Sequence, residues 1–253
     1  MANVLLRVAN VGKHFGGLRA LNAIDLDIEE GKTRAIIGPN GSGKSTLLNV
    51  CVGRLRPDSG MVTFDGQRIT GKPPYRINQL GIARVFQTPE IFPALSVLEN
   101  VLIPALAKRD GSFRIRAWDA VVGETELRDR AVGTIEDIGL HDRIADEAGS
   151  LSRGDKRRLE LAMSLVQQPR LLLLDEPTAG MSRLDTNRTI DLLKKIKERG
   201  MTKVIIEHDM HVVFSLADRV TVLAQGRIIA DGTPDEVRGD PKVQEAYLGG
   251  ARL

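Results

Sequence analysis

The stretch Thr33–Gly53, TRAIIGPNGSGKSTLLNVCVG, decides the fold that this sequence predicts. Its opening TRAII is a short apolar run typical of a buried strand, and the residues after Thr46 have the pattern of a helix. Between the two, Gly38–Thr46 fits G-x-x-x-x-G-K-[ST] in the strand-before, helix-after setting that this pattern requires. The stretch therefore predicts a phosphate-binding loop between a strand and a helix.

The chemistry of such a loop explains its residue types. Glycines let backbone N–H groups turn toward phosphates without a Cβ clash, and the helix N-terminus behind them favours negative charge. We expect Lys44 to reach the β- and γ-phosphates of a nucleotide, Ser45 to ligate Mg²⁺ and Thr46 to donate to the α-phosphate. The alternative is a glycine-rich turn with a chance lysine. The predicted nucleotide-binding residues of the loop are Gly38, Pro39, Asn40, Gly41, Ser42, Gly43, Lys44, Ser45 and Thr46.

A second apolar run, RLLLLDEP, ends in two acids. An unbroken run of this kind predicts a central parallel strand that is buried on both faces. Asp175 then stands where a carboxylate holds Mg²⁺ through water, and Glu176 is placed to polarise an attacking water as general base. The alternative is an acidic strand end that only caps a helix, and the phosphate-binding loop upstream argues against it.

Two further residues follow predicted strands and complete the candidate catalytic set. His208 ends the strand VIIEH, where we expect it to contact a γ-phosphate oxygen, although a lone histidine is more often structural. Gln87 follows IARVF at the mouth of a helical stretch, where it could touch both Mg²⁺ and that stretch. The predicted catalytic residues are Glu176, His208, Gln87 and Lys44, and the predicted metal ligands are Ser45, Gln87 and Asp175.

The composition limits the remaining possibilities. The 253 residues, 42% hydrophobic and 27% charged, have ordinary globular composition and can bury a large core. A net charge of +3 permits contact with phosphates and does not indicate a nucleic-acid partner. The single cysteine, Cys51, excludes an internal disulfide, fits a reducing compartment and is expected to be buried. No apolar run approaches the roughly 20 residues of a membrane span, so we expect a membrane role only through a partner.

The pattern along the chain predicts one α/β domain with an inserted helical region. LLRVANV and AIDLDIEEG predict an antiparallel β edge, and RVTVLAQGRIIADG predicts a hairpin. Between Thr88 and Gln168 no strand is predicted, and helices are expected over residues 96–107, 116–139 and 153–167. The expected organisation is a single domain, 1–253, with a core over about 1–87 and 169–233, a helical subdomain over about 88–168 and a helical tail over about 234–253.

The stretch Leu151–Leu161, LSRGDKRRLEL, looks like a second anion-binding motif at the start of a helix. The Ser152 hydroxyl and the Gly154 N–H would donate to a phosphate there, and the helix field favours an anion by about 0.3–1 kcal/mol. The alternative is an ordinary helix cap followed by a solvated basic face. We expect that face to place Lys156, Arg157 and Arg158 in water.

Together these motifs resemble the ATP-binding cassette (ABC) ATPases, and the resemblance runs the whole chain. Gln87 matches the family's Q-loop, LSRGD its signature, Asp175–Glu176 its Walker B motif and His208 its switch histidine, all in the family's order. Phe15, in VGKHFGGL, matches the aromatic residue that stacks on adenine. AGMS follows Thr178 where the family's D-loop usually reads S-A-L-D.

The resemblance implies a fold, an activity and partners. The fold is α/β: a P-loop NTPase (ABC ATPase) core with a parallel sheet, an antiparallel β edge and an inserted helical subdomain. The activity is ATP hydrolysis, with ATP and Mg²⁺ as cofactors, in a head-to-tail pair of cassettes. Each ATP then lies between one subunit's P-loop and the other's signature, so Ser152 and Gly154 would bind the partner's γ-phosphate.

Three residues depart from the family's motifs. Arg153 and Asp155 replace the commonest residues of the signature, and Ser182 replaces the D-loop aspartate. A carboxylate that faced the triphosphate would be costly, whereas one in the first turn of a helix is favourable. We therefore expect Arg153 and Asp155 to face away from the nucleotide, with Asp155 turned outward toward Arg153 or Lys156.

Short stretches indicate the branch of the family. FGGLRAL, AGM and VQEAYLGG resemble the ATPases that power import of branched-chain amino acids, and the tail also resembles the lipopolysaccharide-export ATPase. The import branch implies a second cassette, permease subunits and, indirectly, a solute-binding protein, with the chain at the cytoplasmic face of the membrane. Residues around 90–100 would meet the permease through Ile91 and Phe92, unless these side chains cap the helical region's own core.

Other classes fit less well. ABC ATPases of DNA repair or translation generally carry coiled-coil or zinc inserts, or two cassettes, and this chain has one cassette, one cysteine and no long heptad region. A catalytically inactive cassette is disfavoured because the motif lysine, both acids and the histidine are present. The sequence leaves open the transported substrate, since a cassette does not touch the cargo, and whether the cassette pairs with itself or with a relative.

Overall fold

The computed structural model describes residues 3–86, 88–111 and 125–248. The strands are β1 Val4–Phe15, β2 Leu18–Glu29, β3 Thr33–Ile37, β4 Ser59–Phe64, β5 Gln67–Arg68, β6 Ile82–Val85, β7 Leu171–Asp175, β8 Thr202–Ile206, β9 Arg219–Ala224 and β10 Arg227–Gly232. The helices are α1 Lys44–Cys51, α2 Pro74–Leu80, α3 Val97–Asp110, α4 Thr125–Asp137, α5 Arg153–Leu165, α6 Arg183–Glu198, α7 Met210–Leu216, α8 Pro234–Gly239 and α9 Pro241–Leu248. Two 3₁₀ turns, His141–Arg143 and Ala148–Ser150, precede α5.

A six-stranded sheet in the order β10-β9-β3-β8-β7-β6 carries the candidate site. Its strands pair in parallel except β10, which pairs with β9 antiparallel. Every residue of β3, β7 and β8 is buried, as the unbroken apolar runs predict for strands covered on both faces. Because carboxyl ends of parallel strands share one edge, the segments after these three strands meet there.

A second sheet, antiparallel and in the order β2-β1-β4-β5, forms the predicted β edge. Its inner face and one face of the large sheet enclose an apolar core together with α1. Cys51 lies in this core, where burial raises the pKa of its thiol to about 12 and leaves it an inert small side chain. The prediction of a buried cysteine is confirmed.

The helices between β6 and β7 pack on one another around Val101, Ala131 and Leu159, each with no exposed surface. α3 begins at a capping box, in which Ser96 and Glu99 satisfy each other's backbone N–H groups. Of the predicted helix over 116–139, the structure describes Thr125–Asp137, and residues 116–124 lie outside the described part. The boundaries of the helical subdomain remain a prediction.

The hairpin of β9 and β10 supports the phosphate-binding loop. Gln225 and Gly226 form its two-residue turn with φ angles of 48° and 74°, as the Gln-Gly pair predicts. The Gly226 N–H donates to the Ser42 carbonyl at 3.0 Å, and the Gly226 carbonyl accepts from Asn22 at 2.8 Å. The turn therefore connects the loop to β2.

Some elements were not predicted. The sequence reading placed no helix at α2 or α7 and no strand at β5, all of which are short. α2 begins at the paired prolines Pro73 and Pro74, which also signal a turn. α7 begins two residues after His208, with Asp209 as its N-cap. Because it follows the end of β8 so closely, the sequence pattern of the strand gave no separate signal for the start of this helix. Among the described residues, no helix is both long and apolar enough to cross a bilayer.

Candidate active site

The phosphate-binding loop contains two backbone positions that only glycine can occupy. Gly38 has a φ of 149°, and a Cβ added there would lie 2.0 Å from the carbonyl oxygen of Leu223. Gly43 has a φ of 108°, and its Cβ would lie 2.5 Å from the carbonyl oxygen of Ala20. The loop is therefore packed tightly from behind by β2 and β9, which leave no room for a side chain at either position.

Lys44 is the first residue of α1 and is buried. Its Nζ donates to the carbonyl oxygens of Gly38 at 2.8 Å and Pro39 at 2.9 Å, so the ammonium lies across the loop. Burial lowers the pKa of Lys44, and the charges of Glu176 and Asp175 oppose that fall. The ammonium is thus near enough to both acids for their charges to act on it, which is consistent with the loop and the end of β7 lying at the same edge of the sheet.

The residues of the loop fit an anionic, polyphosphate ligand. The Ser42 hydroxyl is buried and has no hydrogen-bond partner among the described residues, which is rare for a buried polar atom. Gly43 is the N-cap of α1 and supplies no side-chain cap, so the N–H groups of the first turn are left to a ligand. Ser45 and Thr46 stand in that first turn, as an oxygen ligand and a phosphate donor require.

Asp175 is held by a buried arginine that the sequence reading missed. Its Oδ2 accepts from Arg84 Nη2 at 2.6 Å, and each side chain is 8% exposed. Arg84 Nη1 also donates to Asn49 Oδ1 at 2.6 Å, so the guanidinium joins β6, β7 and α1. The signal was the arginine within the apolar strand IARVF, since a buried cation needs a partner.

Glu176, directly after β7, and His208, two residues after β8, lie in contact. Glu176 Oε1 is 2.9 Å from His208 Nε2, which brings the predicted general base and the predicted switch histidine together. Glu176 has a left-handed φ of 49°, and its N–H donates to the Ile206 carbonyl at 2.9 Å. A non-glycine residue in this region stores about 1 kcal/mol or more of strain, which often occurs where a side chain must be aimed.

Glu207, next to the histidine, is a third acid at this edge, and the motifs did not single it out. It is 3% exposed, and its Oε1 accepts from both the N–H of Thr178 at 3.0 Å and the hydroxyl of Thr178 at 2.6 Å. Burial raises the pKa of Glu207, and the hydrogen bonds from Thr178 and from the His208 backbone oppose that rise. Glu207 thus binds the segment after β7 to the segment after β8.

The remaining candidates differ in how much the structure describes. Phe15 ends β1 and is 47% exposed, with the Lys13 ammonium 5.6 Å from the centre of its ring. An exposed aromatic ring is available for stacking. Gln87, predicted as a catalytic residue and metal ligand, lies outside the described residues.

Ser152 and Gly154 lie at the exposed start of α5. The Ser152 hydroxyl caps the helix by accepting from the Asp155 N–H at 3.1 Å. A Cβ added at Gly154 would lie 3.3 Å from Asp185 Cγ, so α5 starts close against the start of α6. Among the described residues no hydrogen bond joins Ser152 or Gly154 to Gly38–Thr46, and the structure does not bring these two candidate anion sites together within the chain.

The predicted orientation of Asp155 is wrong. Asp155 is buried rather than turned outward, and its partners are Arg158 on α5 and Arg143 of the preceding 3₁₀ turn, the latter at 3.3 Å. The expected partners, Arg153 and Lys156, make other contacts. Arg153 is exposed, and its guanidinium lies so close to Gly180 that a Cβ there would stand 2.7 Å from Nη1.

The prediction of a solvated basic face on α5 is also wrong. Arg157 is 3% exposed and donates to the Phe86 carbonyl. Lys156 donates to the Gly149 carbonyl at 2.8 Å, and Arg158 pairs with Asp155. The helix packs this face against its neighbours, and each cation is accommodated because it finds a carbonyl or carboxylate.

Ile91 and Phe92 were expected either to meet the permease or to cap the helical region's own core, and the two side chains differ in their exposure. Ile91 is half-buried and packs against the main core, which is the alternative of a core cap. Phe92 is 45% exposed, while its backbone N–H and carbonyl are both bound by the buried side chain of Asn100. The structure thus presents one large apolar side chain from this segment on a firmly held backbone.

The chain has the features of a P-loop nucleotide-binding protein. These are a glycine-rich loop at a helix N-terminus, a buried lysine across that loop, and acids at the ends of strands at the same edge of the sheet. Comparison with known proteins agrees. Residues 21–179 match the model of the ABC transporter family, and residues 227–252 match that of the branched-chain amino acid ATP-binding cassette transporters.

Individual relatives cover the chain almost completely. The chain is 36% identical over 255 residues to the high-affinity branched-chain amino acid transport ATP-binding protein BraF of Pseudomonas aeruginosa, covering 99% of this chain and 100% of that protein. It is 36% identical over 245 residues to the probable branched-chain amino acid transport ATP-binding protein LivG of Archaeoglobus fulgidus, covering 97% and 95%. The chain belongs to the ABC transporter family and is one of its ATP-hydrolysing cassettes.

Solved structures show the same fold. The ADP conformation of MJ1267, an ATP-binding cassette of an ABC transporter, superposes with a TM-score of 0.85 at 33% identity, covering 98% of this chain and 99% of that one. The cassette MJ0796, solved as a dimer in a post-hydrolysis state with ADP and Pi, superposes with a TM-score of 0.77 at 29% identity, covering 91% and 99%. The predicted α/β cassette fold is confirmed.

Proposed function

We propose that this chain hydrolyses MgATP at the edge of its large sheet and powers import of branched-chain or other hydrophobic amino acids, or of related small carboxylates or amides. The observation that carries the catalytic part is the 2.9 Å contact between Glu176 and His208, beside Asp175 and the glycine loop. This contact supports the roles of Glu176 as general base and of the neighbouring Asp175 as metal-site acid, both of which ATP hydrolysis requires.

The loop Gly38–Thr46 would hold the phosphates, with Lys44 reaching the terminal ones. The buried Ser42 hydroxyl and the uncapped N–H groups of α1 support this assignment. Mg²⁺ would be held by Ser45, Gln87 and, through water, Asp175, and when bound it would neutralise charge on the phosphate oxygens. Phe15 would stack on the adenine.

Glu176 would accept a proton from the attacking water. The contact with His208 orients the carboxylate, and the strained backbone of Glu176, anchored to Ile206, holds it at the end of β7. His208 would also contact a γ-phosphate oxygen. Glu207 supports both residues because it accepts from the backbone N–H of Thr178, two residues after Glu176, and from the backbone N–H of His208 itself.

A second cassette would complete each site. Ser152 and Gly154 stand at the start of α5 and, in the described part of the chain, make no hydrogen bond to the chain's own loop. They would donate to the γ-phosphate held by a partner cassette. The dimeric MJ0796 structure supports pairing of cassettes in the family. The partner is a second copy or a related cassette.

The transport role rests on the match of residues 227–252 and on the names of the relatives. The chain would act at the cytoplasmic face of the membrane, bound to permease subunits through the helical subdomain, with Phe92 as an exposed contact. A solute-binding protein would deliver the amino acid to the permease, and no nucleic acid is involved.

The test uses Glu176→Gln in the full chain. With MgATP, we expect this variant to elute as a dimer in size-exclusion chromatography and to lose at least about a hundredfold in ATP turnover, since the amide is no base. Cells in which the gene for this chain is replaced by the variant should fail to take up labelled leucine, isoleucine and valine. Expression of the wild-type chain in the same cells should restore uptake. Hydrolysis at the wild-type rate would refute the base, and unchanged uptake would refute the transport role.

A further inference from the structure

A buried ion pair on α5 holds the backbone on both sides of residue 87. Glu160 Oε1 accepts from the Phe86 N–H at 2.8 Å, and the backbone of Glu90 also hydrogen-bonds to this carboxylate. Arg157 Nη1 donates to the Phe86 carbonyl and lies 3.3 Å from Glu160 Oε2. The side chains of Arg157 and Glu160 are only 3% and 5% exposed.

The burial of this pair points to a positional role. A surface pair at the same i,i+3 spacing would contribute little to stability, whereas a buried pair carries a desolvation cost that apolar residues would avoid. What apolar residues could not do is satisfy the N–H and carbonyl of Phe86 and the N–H of Glu90 at once. The pair therefore binds the chain that leaves β6 to α5.

Contacts continue from Phe86 to the acid at the end of β7. The Arg84 guanidinium lies 4.8 Å from the centre of the Phe86 ring and donates to Asp175 Oδ2 at 2.6 Å. At the other end, α5 begins at the Ser152 cap and continues as one helix to Leu165. The start of α5 and Asp175 are thus joined through an uninterrupted series of packed side chains and backbone hydrogen bonds.

We propose that Glu160 and Arg157 are positioning residues that fix the end of β6 to α5. They act through the backbone of Phe86 and Glu90, and they keep the Arg84–Asp175 pair in a defined place relative to the helix that carries Ser152 and Gly154. This inference rests on the proposed roles of Asp175 and of the start of α5 in ATP hydrolysis. A series of contacts becomes a coupling only when a perturbation at one end changes the other.

The first measurement is hydrogen–deuterium exchange of the full chain without nucleotide. Glu160→Gln removes one of the two acceptor oxygens and the charge, so we expect the amides of Phe86 and Glu90 to exchange about tenfold faster. Glu126→Gln is the matched control, because Glu126 is a 92% exposed acid that pairs with Arg130 on α4. It should leave these amides unchanged. Unchanged exchange in Glu160→Gln would overturn the proposal.

The second measurement separates positioning from folding. In Glu160→Gln, the affinity for trinitrophenyl-ATP in the presence of Mg²⁺ should stay within about threefold of wild type, because in the described structure the Arg157–Glu160 pair does not contact Gly38–Thr46. The kcat of the variant should fall about tenfold to a hundredfold. Arg157→Lys, which keeps a donor and the charge, should retain more of kcat than Arg157→Met. A simple loss of folded protein would lower the number of binding sites instead. An unchanged kcat in Glu160→Gln would overturn the proposal.

A double-mutant cycle tests the connection to the metal-site acid. If Glu160 acts through Phe86 and Arg84, the two substitutions should not be additive. The kcat of the Glu160→Gln, Arg84→Gln double variant should then be less than about threefold below that of the less active single variant. Losses that multiply would overturn the connection. Failure of the proposed function looks different: the wild-type chain would not hydrolyse MgATP, while the exchange difference at Phe86 and Glu90 would persist.

Discussion

Lys203 provides the sharpest test of the energetics of this fold. It is the second residue of β8, has no exposed surface, and its Nζ has no hydrogen-bond partner among the described residues. The pKa of Lys203 falls from 10.5 to about 8, because burial and, to a smaller extent, the charge of Lys197 lower it more than the charge of Asp218 raises it. Each pKa unit corresponds to about 1.4 kcal/mol, so the protonated ammonium costs the folded state about 3 kcal/mol at pH 7.

Lys203→Met keeps an unbranched apolar side chain and removes the charge. Because the folded pKa lies below the unfolded value, the cost of Lys203 is fully present below pH 8 and disappears as the pH rises to 10.5. The variant should therefore raise the free energy of unfolding by about 3 kcal/mol at pH 7 and by less than half of that at pH 9.5. Urea unfolding followed by circular dichroism at both pH values measures the difference.

Lys197→Met is the matched control for Lys203→Met. Lys197 is partly exposed and forms a 2.8 Å ion pair with Asp218, so its removal should cost about 0–1 kcal/mol rather than stabilise. Lys203 lies beside Thr33 at the amino ends of the strands, at the edge opposite the glycine loop, and ATP turnover should stay at the wild-type level. A Lys203→Met variant that is no more stable than wild type at pH 7, or whose gain does not fall at pH 9.5, would refute the reasoning.

Three further variants test the site. Gly38→Ala should abolish binding of trinitrophenyl-ATP, because its Cβ would overlap the Leu223 carbonyl in a backbone that alanine does not adopt. Ser152→Ala should lower steady-state ATP turnover at least about tenfold while leaving ATP affinity of the isolated chain unchanged, since we propose that the hydroxyl donates to a partner's phosphate. Asp155→Gln should keep turnover within a few-fold but lower the free energy of unfolding by about 1–3 kcal/mol, because Arg158 loses its buried carboxylate. Equal losses of turnover in the last two variants would contradict this division of roles.

The elements that sequence reasoning predicted are those whose cause is local. The strand β3 and the loop after it follow from an apolar run and from glycines whose φ angles no other residue adopts. The capping box at Thr233 and Glu236, with Pro234 at the first helical position of α8, likewise has its cause within four residues. Such signals need no knowledge of the rest of the chain.

What the sequence could not reveal is the partner of a charged side chain. Arg84 and Asp175 are 91 residues apart, and no pattern indicates that they pair. On α5 the apolar positions alone suggested an exposed basic face, because Arg157 and Glu160 interrupt the stripe that faces inward. A charge is read as solvated unless its counter-charge is known, and that counter-charge comes from tertiary structure.

The buried charges of this chain separate into two kinds when their partners are compared. At the carboxyl edge of the sheet, Arg84, Glu160 and Glu207 each bind a backbone group or side chain that follows or precedes a candidate catalytic residue. At the amino edge, Lys203 is equally buried and binds nothing with its ammonium among the described residues. Burial costs stability for all four charged side chains because it removes them from water. Only the three at the carboxyl edge hold a loop in place, so only these combine that cost with a functional role. Replacing Lys203 should therefore stabilise the chain without affecting turnover, and replacing Glu160 should affect turnover whatever it does to stability.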